Sequence, residues 1–188
     1  MRSSAIPHLI IINALIWLAS FRFPGLPLFL ALHKASSPNF EYWQVLTYFF
    51  THQSFLHILA NMITLWSLGS TVEAFMGTGR FLRFYLITGL LTGVLLAFLD
   101  PSPAPVVGAS TAISGVVSAF AYYYPRGQLY IFPIPFAIRV RTLAIGFGTL
   151  SFILFLLNPQ YPVGGISHLG HLLGLVIGFL YLRIVRRF

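Results

Sequence analysis

The chain has 188 residues, of which 57% are hydrophobic and only 7% charged, too few charges for the surface of a soluble domain. Repeated long apolar runs instead predict a protein that uses the lipid bilayer as its solvent. The net charge is +8, but the basic residues are scattered between apolar runs and form no stripe, which argues against a nucleic-acid partner, and the absence of cysteine excludes disulfides and thiolate metal sites.

Apolar segments of helical length follow one another along the whole chain, separated by glycine- and proline-rich breaks. The first has no convincing cleavage site and is interpreted as a retained helix. The pattern predicts an all-α membrane protein, with residues 1–188 forming a single domain built as a six-transmembrane-helix bundle. The predicted helices cover about 6–21, 55–75, 80–99, 108–124, 142–158 and 167–185.

Two connecting segments are apolar but too broken by proline to cross a bilayer. The first, about 22–43, is predicted to lie partly in the membrane interface, anchored by Tyr42 and Trp43. The second, 129–138, is expected to be a similar interfacial connector.

The basic residues predict the orientation of the bundle. With six spans, only Arg22 and Lys34 fall on the side opposite the termini. The positive-inside rule therefore puts both termini on the cytoplasmic side of the membrane, which is expected to be a cell inner membrane. The second, fourth and sixth helices then begin on the outer side. The basic residues predicted on the cytoplasmic side are Arg2, Arg80, Arg83, Arg126, Arg139, Arg141, Arg183, Arg186 and Arg187.

Four polar residues lie near the starts of these outward-facing helices, and polar groups inside a bilayer are functional candidates by default. They are His57 and Asn61 in the second helix, Ser110 in the fourth and His168 in the sixth. His57 and Asn61 are four residues apart, so they share one helix face and could aim two donors at one oxyanion. They could equally be a polar pair that joins two helices.

Ser110 begins a segment rich in small residues, at a helix N-terminus whose free N–H groups favour a developing negative charge. Ser110, Ser114 and Ser118 also share one face, a pattern that equally describes close helix packing.

His168 precedes a ridge of small residues in the sixth helix, formed by Gly170, Gly174 and Gly178. If this ridge packs against the fourth helix, His168 and Ser110 meet, and a neutral imidazole could take the proton of the serine hydroxyl. Hydrolysis consumes water, so a polar cavity open to the outer side is expected at Ser110.

Several short motifs occur in the order that is typical of one family. From about Trp43 to the end of the sixth helix, the sequence resembles the rhomboid family of intramembrane serine proteases. The motifs are Trp43-Gln44-Val45-Leu46-Thr47, His52 with His57, Asn61 and Met62, Glu73 with Gly77-Thr78-Gly79-Arg80-Phe81, Gly108-Ala109-Ser110, and Ser167-His168-Leu169-Gly170.

This resemblance implies a serine-type endopeptidase that cleaves peptide bonds in or near transmembrane segments without a cofactor or metal. Ser110 would be the nucleophile and His168 the general base. His57, Asn61 and the backbone N–H of Ser110 would hold the oxyanion. The implied partners are transmembrane protein substrates and the lipid bilayer.

The resemblance also assigns supporting roles. His52 would brace the outer loop, and Gly108 would permit the tight entry into the fourth helix. Glu73 and Arg80 are expected to cap and pair at the cytoplasmic turn. Asp100, beside a proline-rich loop, is expected to be a solvated loop residue or a helix terminus, so the prediction is a Ser–His dyad rather than a triad.

Three residues depart from the family pattern. Thr111 replaces the glycine after the nucleophile, His171 replaces a glycine on the sixth helix, and Ser114 stands where an aromatic residue often stacks on the catalytic histidine. Thr111 and His171 add bulk to the expected helix contact, across which they could hydrogen-bond. These departures motivate the alternative of a proteolytically inactive rhomboid-like protein that binds transmembrane helices.

A third possibility is a metal-dependent membrane protein. Imidazoles suit zinc, and His52, His57, His168 and His171 could supply them. The sequence contains no H-E-x-x-H motif, which weakens this interpretation.

Overall fold

The computed structural model describes residues 4–130, 135–160 and 166–185, and it is predominantly helical. A 3-10 turn, Tyr48–Phe50, follows α3. One π-helical turn, Leu65–Gly69, joins α4 to α5 in a continuous helix, Phe55–Met76. The helices are α1 (Ala5–Arg22), α2 (Leu26–Leu30), α3 (Gln44–Thr47), α4 (Phe55–Thr64), α5 (Ser70–Met76), α6 (Thr78–Leu99), α7 (Ser110–Tyr123), α8 (Val140–Leu157) and α9 (His168–Val185).

The predicted all-α membrane bundle is confirmed, with one qualification on the number of spans. Within the described residues, five helices are long and apolar enough to cross a membrane: Ala5–Arg22, Phe55–Met76, Thr78–Leu99, Val140–Leu157 and His168–Val185. The remaining predicted span, α7, has only 14 residues. At about 1.5 Å per residue it is shorter than the roughly 30 Å hydrocarbon layer.

Helix α7 is the centre of the bundle. Every residue from Thr111 to Phe120 is buried by the surrounding helices. Non-helical backbone at membrane depth is tolerated where protein rather than lipid surrounds it. A short helix with loop at its entrance is therefore compatible with this enclosed position.

Helices α7 and α9 pack closely and run parallel. A Cβ atom at Gly174 would lie 2.1 Å from the carbonyl oxygen of Thr111, and one at Gly178 would lie 2.6 Å from Cα of Gly115. A Cβ at Gly170 would lie 2.9 Å from Cγ2 of Thr111. The predicted small-residue ridge is confirmed, and the matching order of these contacts brings the first turns of the two helices side by side.

The peripheral helices expose apolar side chains, as a lipid-facing surface requires. In α8 only Val140 and Ser151 are buried. The start of α1 is attached to α5, because the carboxylate of Glu73 accepts hydrogen bonds from the Ser4 hydroxyl and the Ala5 N–H. The Glu73 side chain therefore caps α1 across the bundle, rather than its own turn as expected.

The predicted interfacial loop contains α2, and it is tied to the rest of the fold at two places. The rings of Phe29 and Trp43 lie 5.2 Å apart, and Leu32 forms an antiparallel bridge with Val106, just before α7. Tyr42 is 85% exposed, as an interfacial anchor would be.

The second predicted connector is bounded by a short antiparallel pair, β1 (Gln128–Leu129) and β2 (Ile138–Arg139). Residues 131–134 of this connector lie outside the described residues, as do Arg2, Arg186 and Arg187 from the orientation argument.

Candidate active site

The predicted site residues lie at one end of the bundle. Helices α4, α7 and α9 begin there, and α6 and α8 end there. The His57 ring touches Gly108 beside the start of α7, and Ser167 at the start of α9 touches Asp100 at the end of α6. The chain alternates direction through the bundle, which is why residues far apart in sequence meet.

Gly108 brings His57 and Ser110 to the same point. It is buried and has φ +119°, a conformation that L-residues rarely adopt. A Cβ atom on Gly108 would lie 2.6 Å from Nε2 of His57 and 3.7 Å from Oγ of Ser110. Because Gly108 has no side chain, the His57 ring and the Ser110 hydroxyl can both lie close to it.

His57 and Asn61 lie one turn apart in α4, and His57 contacts Gly108. Ser54 caps α4, its hydroxyl oxygen accepting the backbone N–H of His57 at 3.2 Å. The side-chain amide of Asn61 donates to the His57 carbonyl at 2.9 Å, and Asn61 is buried. An amide has two N–H groups, so the second can serve another acceptor.

His52 supports the segment that leads into α7. The Ala109 N–H donates to Nε2 of His52 at 3.5 Å, and the rings of His52 and His57 lie 5.0 Å apart in an edge arrangement. Burial, with a smaller contribution from His57, lowers the pKa of His52 to about 3. The ring is therefore neutral at physiological pH and can accept this hydrogen bond.

His168 is the first residue of α9, and it is buried. Its ring centroid lies 6.2 Å from that of His171. A small cleft, with a volume of about 10 Å³, lies beside it and is lined by Asp100, Phe155, Asn158, Pro159, Ser167, His168 and Leu169. Ser110 is half-buried and, among the described residues, is not part of this lining. The cleft thus lies on the His168 side of the site.

Of the two positions expected for Asp100, the solvated loop residue is wrong, and the helix terminus agrees with the structure, because Asp100 is the C-cap of α6. It is 6% exposed, with Oδ1 accepting the Ser102 N–H at 2.9 Å and Oδ2 accepting the Ser167 hydroxyl at 3.4 Å. Burial raises the pKa of this carboxyl above its usual value. The signal that could have found the contact is Ser167, where the rhomboid motif has alanine before its histidine.

The three departures from the family pattern are accommodated without a Thr111–His171 hydrogen bond, so that expectation is also wrong. Oγ1 of Thr111 lies 2.9 Å from the Tyr48 hydroxyl, whose proton goes to the Gly89 carbonyl at 2.9 Å. The ring of His171 packs against Phe147 of α8, with centroids 5.1 Å apart.

Ser114 bonds to the backbone of its own helix and contacts α9. Its hydroxyl donates to the Ser110 carbonyl at 2.7 Å, and its Cβ faces Gly174. The packing interpretation of this serine face therefore holds at Ser114, whatever the chemistry of Ser110.

No three His, Asp or Glu side chains come together in a metal-binding group within residues 4–130, 135–160 and 166–185.

Comparison with known proteins agrees with the motif order. Residues 39–188 match the Rhomboid domain family. The chain is 36% identical to Rhomboid protease GluP of Bacillus subtilis over 139 residues, 74% of this chain and 25% of that protein. It is 31% identical to Rhomboid protein 1, mitochondrial, of Saccharomyces cerevisiae over 140 residues, 70% of this chain and 38% of that protein.

A third similarity is to Rhomboid protease GlpG of Salmonella newport, at 33% identity over 94 residues, 50% of this chain and 34% of that protein. The chain thus spans less than two fifths of each of these longer relatives. The family match covers most of the chain and coincides with an all-α bundle of apolar helices. The chain therefore belongs to the rhomboid family of integral, multi-pass membrane proteins.

Proposed function

We propose that this chain is an intramembrane serine endopeptidase that cleaves transmembrane proteins with a Ser110–His168 dyad. The observation that carries the proposal is that Oγ of Ser110 and Nε2 of His57 both lie beside Gly108, which has no side chain to separate them. A nucleophile and a hydrogen-bond donor close to one point are what acyl transfer to serine requires.

The proposed reaction gives each of these residues one role. The imidazole of His168 takes the hydroxyl proton as Oγ of Ser110 bonds to the scissile carbonyl carbon. The oxyanion is stabilised by His57, the second amide N–H of Asn61 and the backbone N–H of Ser110. Return of the proton to the leaving nitrogen breaks the C–N bond, and water, activated by the same imidazole, releases the acyl group and restores the hydroxyl.

The runner-up function is binding of transmembrane helices without cleavage, because Thr111 and His171 add bulk where the dyad must meet. The contacts of these residues favour the protease. Thr111 turns its hydroxyl to Tyr48 and packs its methyl on Gly170, which has no Cβ, while His171 packs on α8.

A serine-reactive fluorophosphonate probe on the full chain in detergent tests the proposal, together with cleavage of a reporter transmembrane substrate. We expect labelling and cleavage in the wild type and neither in Ser110→Ala. His168→Gln should lower both by at least about a hundredfold, since a serine without its base is a weak nucleophile. Cleavage retained in Ser110→Ala would contradict the assignment.

The same assay separates the alternatives. Wild-type chain that folds but is neither labelled nor cleaving would favour the helix-binding protein. Cleavage abolished by a strong chelator would favour metal-dependent chemistry, whereas the serine mechanism predicts that activity survives chelation.

We also propose that both termini are cytoplasmic and that the site opens outward, on the strength of the basic-residue count. The chain contains no cysteine, so single substitutions carry no background. Asn39→Cys, in the exposed first loop, should react with an impermeant maleimide from outside. Arg126→Cys, exposed after α7, should react only after permeabilisation. The reverse pattern would refute the orientation.

A further inference from the structure

We propose that Asp100 is a positioning residue for His168 and acts through the hydroxyl of Ser167, an inference that rests on the proposed protease function. Asp100 ends α6, Ser167 immediately precedes α9, and both line the cleft beside His168. The two residues therefore connect the end of one helix to the first turn of the helix that carries the proposed base.

Asp100 is fixed by its own loop. Oδ1 accepts the N–H of Ser102, and the Ser102 hydroxyl oxygen in turn accepts the N–H of Ala104 at 3.2 Å. These bonds close two successive turns after α6 and hold the carboxylate in place. Oδ2 is left directed at Ser167. The carboxylate is thus a fixed acceptor rather than a mobile surface group.

Ser167 is the N-cap of α9. Its hydroxyl oxygen accepts the N–H of Gly170 at 3.2 Å, and its carbonyl accepts the N–H of His171 at 3.1 Å. The Ser167 oxygen accepts the Gly170 N–H through a lone pair, so its own hydroxyl proton remains available to donate to Asp100. One side chain therefore caps the helix and attaches it to the carboxylate.

His168 is the first helical residue after this cap, so the direction of its Cα–Cβ bond depends on how Ser167 is held. A carboxylate near a helix N-terminus is also favoured by the helix dipole. The chain has only three acidic residues, and burying one of them is costly unless hydrogen bonds compensate. Orientation of the proposed base is a role that would explain why this carboxylate is buried.

The chain contains a matched control for this arrangement. Ser4 caps α1, and its hydroxyl donates to the buried carboxylate of Glu73. The chemistry is the same as at Ser167, but α1 carries no proposed site residue. Removing either serine hydroxyl deletes a cap bonded to a carboxylate, and only Ser167 is next to the base.

The experiment measures kcat and KM for a reporter transmembrane substrate, with thermal unfolding of each variant in the same detergent. We expect Ser167→Ala and Asp100→Ala each to lower kcat about tenfold or more, because small misplacements of a catalytic group are costly, with KM changed less than about twofold. Ser167→Thr, which keeps the hydroxyl, should restore kcat to within about threefold. Ser4→Ala should lower the unfolding temperature and leave kcat within about twofold.

The double variant tests whether the two residues act through one bond. The kcat of the double variant should be no lower than that of the less active single variant, because the bond can be removed only once. If Asp100→Ala does not fold, Asp100→Asn takes its place; loss of the charge-assisted bond should then lower kcat about threefold. Three results would overturn the inference. The first is a double variant whose loss of kcat is the product of the two single losses. The others are an unchanged kcat in Ser167→Ala or Asp100→Asn, and an effect on KM alone.

Failure of the inference differs from failure of the proposed function. If the wild type is not labelled at Ser110 and does not cleave, the protease proposal fails and this inference falls with it. If the wild type cleaves in a Ser110-dependent way while Ser167→Ala behaves like Ser4→Ala, only the positioning role is refuted.

Discussion

The hydroxyl of Tyr48 lies 2.9 Å from Oγ1 of Thr111, one residue after Ser110. Because the proton of Tyr48 goes to the Gly89 carbonyl, Thr111 donates to Tyr48. The bulkier residue after the proposed nucleophile is thus held on the side of α6 and the turn after α3. Its larger volume becomes part of the buried polar core.

Tyr48→Phe should destabilise the fold. It removes a hydroxyl that joins two buried groups, and an unpaired buried donor or acceptor costs about 1–3 kcal/mol. Tyr85→Phe is the matched control, because among the described residues the buried Tyr85 hydroxyl has no hydrogen-bond partner. Thermal unfolding in detergent should show a lower midpoint for Tyr48→Phe and an equal or higher one for Tyr85→Phe. Equal shifts would contradict the role of the Tyr48 bond.

Gly174→Ala should separate α7 from α9. The added Cβ would lie 2.1 Å from a backbone oxygen, which cannot move aside as a side chain can. We expect a loss of about 3 kcal/mol or more in the free energy of unfolding. Gly146→Ala on α8, where a Cβ meets nothing within 4 Å, should instead be neutral or stabilising by up to about 1 kcal/mol. A stable, active Gly174→Ala variant would argue against the close helix contact.

Gly108→Ala should impair activity more than its backbone strain explains. The added Cβ would displace the His57 ring, whose Nε2 lies 2.6 Å from that position. Gly77→Ala imposes comparable strain, at φ +82°, but its Cβ meets nothing within 4 Å. At matched unfolding temperature, we expect cleavage to fall roughly tenfold or more in Gly108→Ala only, the order of one lost oxyanion donor. Equal cleavage activities of Gly108→Ala and Gly77→Ala would contradict the proposed role of His57 at the oxyanion site.

The depressed pKa of His52 predicts that the protein loses stability in acid. The unfolded chain takes up a proton at His52 near the ordinary value of 6.5, but the folded protein does so only near 3. Stability from this residue is therefore complete above about pH 6.5 and falls as the pH drops below it, by about 2 kcal/mol at pH 5.

Unfolding midpoints measured between pH 5 and 8 test this prediction. His52→Gln should show a shallower decline than the wild type, because the other titrating groups, including Asp100, are common to both proteins. Parallel declines would show that His52 is not the group responsible.

The long helices could be predicted closely because apolar runs end at glycine and proline breaks. The predicted 55–75 became Phe55–Met76, and 167–185 became His168–Val185. The start of α7 was misplaced at 108 because Gly108 has a positive φ and cannot begin a right-handed helix. Such a conformation is set by the loop and by the His57 ring, neither of which leaves a periodic signal.

The contacts of Asp100 and Thr111 were harder to predict than the helices, for a different reason. Each depends on which atom of a distant segment comes within hydrogen-bond distance, Ser167 for one and Tyr48 for the other. Composition favoured a solvated Asp100, since a lone carboxylate beside prolines usually faces water. Only the folded arrangement of α6 and α9 brings its carboxylate to the hydroxyl of Ser167.

The brevity of α7 has a consequence for how the topology of such chains is determined. Length and hydropathy identify five spans within the described part of the chain, an odd number, which alone would put the two termini on opposite faces of the membrane. Counting the enclosed α7 as the predicted sixth span gives an even number of passes and puts both termini on one face. Whether the number of passes is odd or even, and with it the side of the membrane assigned to each basic residue, thus depends on the most buried helix.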